Sequence, residues 1–312
     1  MKIGLDIMGG DFAPKATVLG AIEAQKALSA DQKIVFFGDK DQALAILAEN
    51  QVDPELFEYV HTTEVIGMGE HATKAVVSKP NSSISLGFQY LKEGKIDSFS
   101  SAGNTGAMLV GAMFSVKTIS GVIRPAIATN IPKIKSGFGI MLDVGANADC
   151  KPDVLLQFGV LGSLYAEHIY KMPNPKVALM NIGEEEEKGN MLTQATFPLM
   201  KESTLFNFVG NIEGRDLFDD KADVIVCDGF TGNVTLKLAE TFYVLTLKKG
   251  FKDEFFDRFN YEQYGGSPIL GVNAPVLIGH GISSPEAIKN MILLSRTMIE
   301  ADLVEKIREA FN

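Results

Sequence analysis

Basic residues are in deficit in this chain. Its 29 lysines and arginines face 39 acids, giving a formal net charge of −10. A broad nucleic-acid surface needs clustered lysine and arginine to neutralise phosphates, so that class is excluded, although local basic spots remain. Cysteine is nearly absent, with only Cys150 and Cys227. Two cysteines cannot build a disulfide framework or a four-cysteine metal site. Both follow apolar, strand-like runs and read as buried thiols in a reducing cytoplasm. No uninterrupted apolar span of about 20 residues occurs, so no membrane-crossing helix is expected. The opening Met1–Met8 meets the turn Gly9-Gly10-Asp11 too early to hold a signal-peptide core. No Ser/Pro/Gly-rich linker, low-complexity tract or short repeat divides the 312 residues. That length fits one large α/β unit or two joined lobes, and we read 1–312 as one α/β domain.

Familiar catalytic signatures are missing too. The first strand is not followed by G-x-G-x-x-G, so a Rossmann dinucleotide is not supported. His61, His71, His168 and His280 lack H-E-x-x-H or comparable spacing, and G-x-S-x-G does not occur. Covalent hydrolase chemistry and zinc chemistry both lose support. What remains is chemistry that positions a phosphate-like group and stabilises an oxyanion without an enzyme nucleophile.

Short apolar runs alternate with helical patterns along the chain. Strands are expected over 2–7, 33–37, 96–100, 126–131, 137–144, 176–182, 222–227 and 275–278. Helices are expected over 16–29, 42–50, 84–93, 106–118, 153–170, 192–202, 234–249 and 285–310. This order predicts a Rossmann-like, mainly parallel sheet with right-handed crossovers and helices on both faces. Between 234 and 261 two helical patterns follow each other around Gly250, which predicts a protruding helical hairpin. Its second arm carries Phe251, Phe255, Phe256 and Phe259 as an aromatic stripe. Such a stripe is core or a dimer contact, or else a surface that meets a partner or a bilayer.

Three apolar runs end in Gly/Asn loops that open helices: Ser101–Ala107, Asn181–Asn190 and Asp228–Val234. A parallel sheet gathers the carboxyl ends of its strands on one edge, so distant loops can line one crevice. Backbone N–H groups at Ala102, Gly103, Asn104, Thr105 and Gly106 form an anion cradle, with packing as the plainer account of the glycines. Asp6 and Asp11 flank the first turn, either as parts of a tight connection or to orient basic groups. Asp143, Asn147, Asp149 and Lys151 read as a polar turn at the crevice rim rather than a calcium loop. The acids Glu184–Glu187 favour a helix start, and Lys188 after them is placed to hold phosphate or polarise a carbonyl, with the acids keeping it cationic or accepting its proton. Asp228, Thr231 and Asn233 serve as caps or as donors to a developing oxyanion.

Several blocks occurring in one order resemble a known family. They are Ile3–Pro14, Ser101–Ala107, Leu142–Asn147, Asn181–Glu185, Lys188–Asn190, Gly210–Asp216, Cys227–Val234 and Tyr264–Asn273. Together they are similar to the bacterial phosphate acyltransferases, which act in phospholipid synthesis, and the similarity runs from the first strand to the last helix. The resemblance implies transfer of a long-chain acyl group from acyl carrier protein to inorganic phosphate. It also implies a homodimer, a fold akin to phosphotransacetylases and the isopropylmalate dehydrogenase class, and no metal or organic cofactor. Lys188 and Asn233 correspond to the family's catalytic lysine and asparagine. The family's helical hairpin near the dimer interface, linked to carrier and membrane contact, corresponds to 234–261. Lys248, Lys249, Lys252 and Arg258 are the cluster to meet an acidic carrier, and Phe255 and Phe256 are candidates for peripheral membrane contact. Met68–Ala72 departs from the pattern expected there. Rival readings are acyl exchange between coenzyme A and phosphate, a dehydrogenase on a related scaffold, and a peripheral membrane scaffolding protein.

Overall fold

The computed structural model describes residues 1–312, except for the side chain of Tyr261, the last residue of the expected hairpin. In chain order the first elements are β1 (Lys2–Asp6), α1 (Lys15–Gln25), β2 (Lys33–Gly38), α2 (Lys40–Glu49), β3 (Phe57–His61), α3 (Ala72–Ser78), α4 (Ser83–Lys92), β4 (Ser98–Ser101) and α5 (Thr105–Gly111). Then follow β5 (Ala126–Pro132), β6 (Phe138–Leu142), α6 (Pro152–Tyr170), β7 (Lys176–Met180), α7 (Met191–Glu202), β8 (Asn207–Ile212) and β9 (Val224–Val226). The last are α8 (Gly229–Lys248), α9 (Glu254–Asp257), β10 (Ser267–Leu270), β11 (Val276–Ile278), α10 (Pro285–Glu300) and α11 (Leu303–Phe311).

Contacts divide the chain into two compact units, residues 1–118 with 261–300, and residues 119–260 with 301–312. In the first unit the strand order is β3-β2-β1-β4-β11-β10. All pairs are parallel except β10 with β11. Its core is aromatic: Phe99 packs edge-on against both Phe37 and Phe88, with ring centroids 5.6 and 5.2 Å apart. Such contacts add to the burial of the rings themselves. Helix α1 lies directly on α10 because Gly20 has no side chain. A Cβ there would sit 2.6 Å from both Ile288 Cβ and the Pro285 carbonyl oxygen.

The second unit has the order β5-β6-β9-β7-β8. β5 and β6 form an antiparallel pair, and β6, β9, β7 and β8 run parallel. Helix α6 buries Leu155, Phe158, Leu161 and Tyr165 against this sheet and its neighbouring helices. Both sheets are mainly parallel, as the alternation predicts.

Three strands were not foreseen. β3 is a short strand with half-buried positions and a glutamate, β8 contains Gly210 at φ +99°, and β10 contains Pro268. Each lacks the continuous apolar run of a strand covered on both faces. The expected hairpin is uneven: α8 is a 20-residue helix, whereas α9 is one turn of four residues.

Candidate active site

Parallel registry brings the key loops of the second unit together. Leu142 aligns with Val226, and Val226 with Leu179, so β6, β9 and β7 end level. Asp143–Asn147, Cys227–Asn233 and Asn181–Asn190 therefore leave the same edge.

Asp143 is the buried hub. Its Oδ1 accepts the N–H groups of Ile127 and Ala146 at 3.0 and 3.1 Å. Its Oδ2 accepts Asn147 N–H and Nδ2 at 2.7 and 2.9 Å. Burial pushes its carboxyl above the ordinary range, against the pull of these donors. Asn147 uses the second hydrogen of Nδ2 on the Pro125 carbonyl at 2.8 Å, and its own carbonyl accepts Gly229 N–H at 2.7 Å. Its side-chain donors are thus engaged by Pro125 and Asp143 rather than left open for a ligand, and its backbone carbonyl seats the start of α8. Asp228 caps that helix, accepting Thr231 N–H and hydroxyl, both at 2.8 Å. Half-buried Asn233 donates through Nδ2 to the Val144 carbonyl at 3.3 Å, which leaves its second amide hydrogen available.

The acidic loop differs from the expectation in one respect. Glu184 pairs with Lys221 at 2.7 Å, and Glu186 pairs with Lys201. Their charges go to lysines elsewhere in the unit, and Lys188 is exposed with no ion pair among the described residues. Its backbone, by contrast, is tied down. Asn181 Nδ2 donates to the Lys188 carbonyl at 3.1 Å, while Asn181 Oδ1 accepts Ile182 N–H at 2.8 Å and the Thr193 hydroxyl at 3.5 Å. Gly189 turns the chain at φ +101°, and a Cβ there would lie 2.0 Å from Thr193 Oγ1 and 2.2 Å from Asn181 Oδ1. Asn181 and Thr193 were missed as site residues. The available signal was their position, at the strand end before the lysine loop and at the helix start after it.

Gly189, Asn190 and Thr193 form one side of a cavity of about 400 Å³, and Asp228 and Thr231 form another. Leu155, Met180 and Cys227 also line it, with Asn181 and Ile182. Burial pushes the Cys227 thiol well up and that of Cys150 to about 12, so neither is a ready nucleophile.

In the first unit, Asp6 is buried and accepts the Ser101 hydroxyl at 2.6 Å and Met8 N–H at 2.9 Å. Burial raises its pKa, and these partners oppose the shift. Ser101 Oγ in turn accepts Gly103 N–H at 2.9 Å. Asp6 therefore braces the Ala102–Gly106 loop through a hydroxyl rather than orienting a basic side chain. Asn104 Oδ1 caps α5 by accepting Ala107 N–H at 2.9 Å. Its Nδ2 faces the carbonyls of Gly67, Met68 and Glu70 at 3.0–3.1 Å. The amide is fully committed, and the departing Met68–Ala72 segment is what it clamps. Ala102 and Gly103 are buried, Thr105 is exposed and Gly106 half-buried. Asp11 is exposed, and its N–H donates to the Gly281 carbonyl at 2.7 Å.

The aromatic stripe folds onto its own unit. Phe255 meets Phe218 and Phe259 edge-on at 5.8 and 5.2 Å, and Phe256 meets Phe255 at 5.4 Å. Arg258 lies over the Phe255 ring and donates to the Ile134 and Gly137 carbonyls. Phe255, Phe256 and Arg258 thus have neighbours in the chain itself, while Lys248, Lys249 and Lys252 stay exposed. The exposed apolar face belongs to α8, where Phe230, Val234, Leu238, Phe242 and Leu245 follow helical spacing.

The architecture is of the phosphotransacetylase type. A phosphotransacetylase from Streptococcus pyogenes matches with a TM-score of 0.67 at 16% identity, covering 96% of this chain and 94% of that one. Residues 1–306 match the family described as "Fatty acid synthesis protein", and the chain belongs to that family. Among its relatives are two proteins named "Phosphate acyltransferase". That of Dictyoglomus turgidum is 44% identical over 332 residues, covering 100% of this chain and 98% of its own. That of Desulforamulus reducens is 44% identical over 329 residues, covering 99% and 97%.

Proposed function

We propose that this protein transfers a long-chain acyl group from the thioester of acyl carrier protein to inorganic phosphate, giving acyl phosphate for phospholipid synthesis. The observation that carries the reading is the second unit's cavity, walled by the loop that holds Lys188 and by the helix start that holds Asn233. Lys188 has no counter-ion among the described residues, so a phosphate dianion is its natural partner. Phosphate oxygen attacks the thioester carbonyl carbon, and the free amide hydrogen of Asn233 donates to the oxyanion that forms. As the tetrahedral intermediate collapses, the C–S bond breaks and the carrier's thiolate leaves with the electron pair. A thiolate needs no strong general acid. Asp228, Thr231 and Asn147 hold this apparatus in place. In the first unit, anion binding falls to the backbone N–H groups of Ala102, Thr105 and Gly106, since Gly103 N–H is engaged by Ser101 Oγ, and Asn104 supports the loop. Asp6 braces the same loop through Ser101, whereas Asp11 is tied to Gly281. No cofactor enters the scheme.

The partners follow from charge and exposure. An acidic carrier requires a positive landing point on a chain of net charge −10, and Lys248, Lys249 and Lys252 supply one. A homodimer would cover the apolar face of α8. No helix among the described residues is long and apolar enough to cross a membrane. We place the protein in the cytoplasm, with any membrane contact peripheral and through exposed Phe251 rather than Phe255 or Phe256.

The test is acyl phosphate formation by purified protein from palmitoyl-acyl carrier protein and phosphate. Turnover that depends on phosphate supports the reading. Equal turnover with free coenzyme A thioester transfers the assignment to the coenzyme A reaction. Vesicle binding without turnover on either substrate leaves a scaffolding protein.

A further inference from the structure

The cavity of the second unit has an arrangement that the phosphate chemistry does not use. Most of its polar lining is already engaged within the protein, with one amide hydrogen of Asn181 and the Asn190 amide left over at the rim. Asn181 bonds the Lys188 carbonyl and Ile182 N–H, the Thr193 hydroxyl bonds the Asn190 carbonyl at 3.2 Å, and both Asp228 oxygens hold Thr231. An occupant rich in amides and hydroxyls, such as a pantetheine arm, would lose its bonds to water and find few open partners here. An apolar occupant loses nothing.

Deeper in, the lining is apolar, with buried Leu155 and Cys227 beside half-buried Met180. Ile182, which also lines the cavity, is 80% exposed, and Met191, next in the chain after the lining residue Asn190, is 88% exposed. Two large apolar side chains held in water next to an apolar hollow mark the path of an extended apolar ligand. The volume of about 400 Å³ lies within the range of small-molecule sites.

We propose that this cavity is the slot for the substrate's acyl chain, with Met180 setting how many methylenes it seats. The inference rests on the acyl-transfer reading above and adds to it the determinant of chain length. The reacting carbonyl then lies at the mouth, where the Lys188 loop and the start of α8 meet the cavity, and the chain runs inward past Asn181 toward Leu155. Met180 suits the role because a thioether side chain is flexible and fills irregular space without a polar demand.

The experiment compares wild type with Met180→Phe and Met180→Ala on octanoyl-, lauroyl- and palmitoyl-acyl carrier protein. Each seated methylene contributes about fourfold to binding. A phenylalanine that displaces two of them lowers the palmitoyl-to-octanoyl ratio of kcat/KM by about 15-fold. Met180→Ala, which enlarges the slot, moves the ratio the other way. A second arm needs no turnover: titration with the fluorescent fatty acid cis-parinaric acid, which Met180→Phe weakens. An unchanged chain-length ratio in active variants, or an equal loss at every length, overturns the slot while leaving acyl transfer standing. Equal loss at every length accompanied by unchanged fatty-acid binding assigns the cavity to the pantetheine arm instead. If wild type forms no acyl phosphate from any of the three, the underlying reading fails and the slot fails with it.

Discussion

Asn181→Ala should reduce catalysis through Lys188 rather than on its own account. The wild-type amide makes two well-formed bonds, one to the Lys188 carbonyl at 3.1 Å and one from Ile182 N–H at 2.8 Å. Each neutral bond contributes about 1 kcal/mol, so the substitution should cost about 1–2 kcal/mol of stability, within the margin of a folded domain. The kinetic loss should be larger, because a catalytic group displaced by about 1 Å can forfeit about 100-fold in rate. Asn181→Asp separates the two bonds: its carboxylate still accepts Ile182 N–H but has no donor for the Lys188 carbonyl. The assay is a double-mutant cycle on kcat/KM for phosphate, using Asn181→Ala, Lys188→Ala and the pair. If Asn181 works through Lys188, the double variant is no slower than Lys188→Ala alone. Losses that multiply would refute the argument, as would an Asn181→Ala enzyme with wild-type rate.

Asn104→Ala removes both the cap of α5 and the clamp on residues 67–70. A lost cap costs about 1 kcal/mol, and hydrogen exchange should quicken in the 67–71 segment; unchanged exchange there would contradict the clamp. Asp223 is buried enough that desolvation alone would raise its pKa, but Lys133 at 2.6 Å and Lys176 N–H at 2.9 Å outweigh this and leave it lowered. Its stabilisation is therefore present above the ordinary carboxyl range and lost as pH falls through the lowered folded value. Asp223→Asn should cost about 2 kcal/mol at pH 7 and less in acid, read as a Tm difference that narrows with falling pH; a pH-independent difference would count against the ion pair. Cys150 and Cys227 should resist iodoacetamide at pH 8 in the folded protein and react on unfolding, since burial raises both thiols; rapid labelling of Cys227 in the native state would show that the cavity floor is open.

The sequence made the strand-helix alternation legible because buried parallel strands leave short apolar runs and their loops leave glycines and asparagines. It also pointed to the edge where Asp143, Asn181 and Asp228 emerge, because each lies at the end of such a run. What it could not show was how each polar group is used. Asn104 and Asn147 look alike as loop amides, and only the folded chain shows that both are engaged by distant carbonyls, those of residues 67–70 and of Pro125. Glu184 and Glu186 find Lys221 and Lys201 instead of Lys188 through contacts 37 and 15 residues apart. Phe255 meets Phe218, 37 positions earlier in the chain, a pairing that helical spacing within one segment cannot reveal. The antiparallel β5–β6 pair escaped for a related reason: its strands are apolar like the others, and only the short Lys133–Gly137 connection sets their direction.

The most direct test is phosphate-dependent formation of acyl phosphate from palmitoyl-acyl carrier protein, with wild type and Lys188→Ala measured side by side and the fold of each checked by circular dichroism. Turnover by wild type and its loss in a folded Lys188→Ala protein is the predicted result. A folded Lys188→Ala enzyme working at the full rate, or a wild type that forms no acyl phosphate from active substrate, would contradict the central claim.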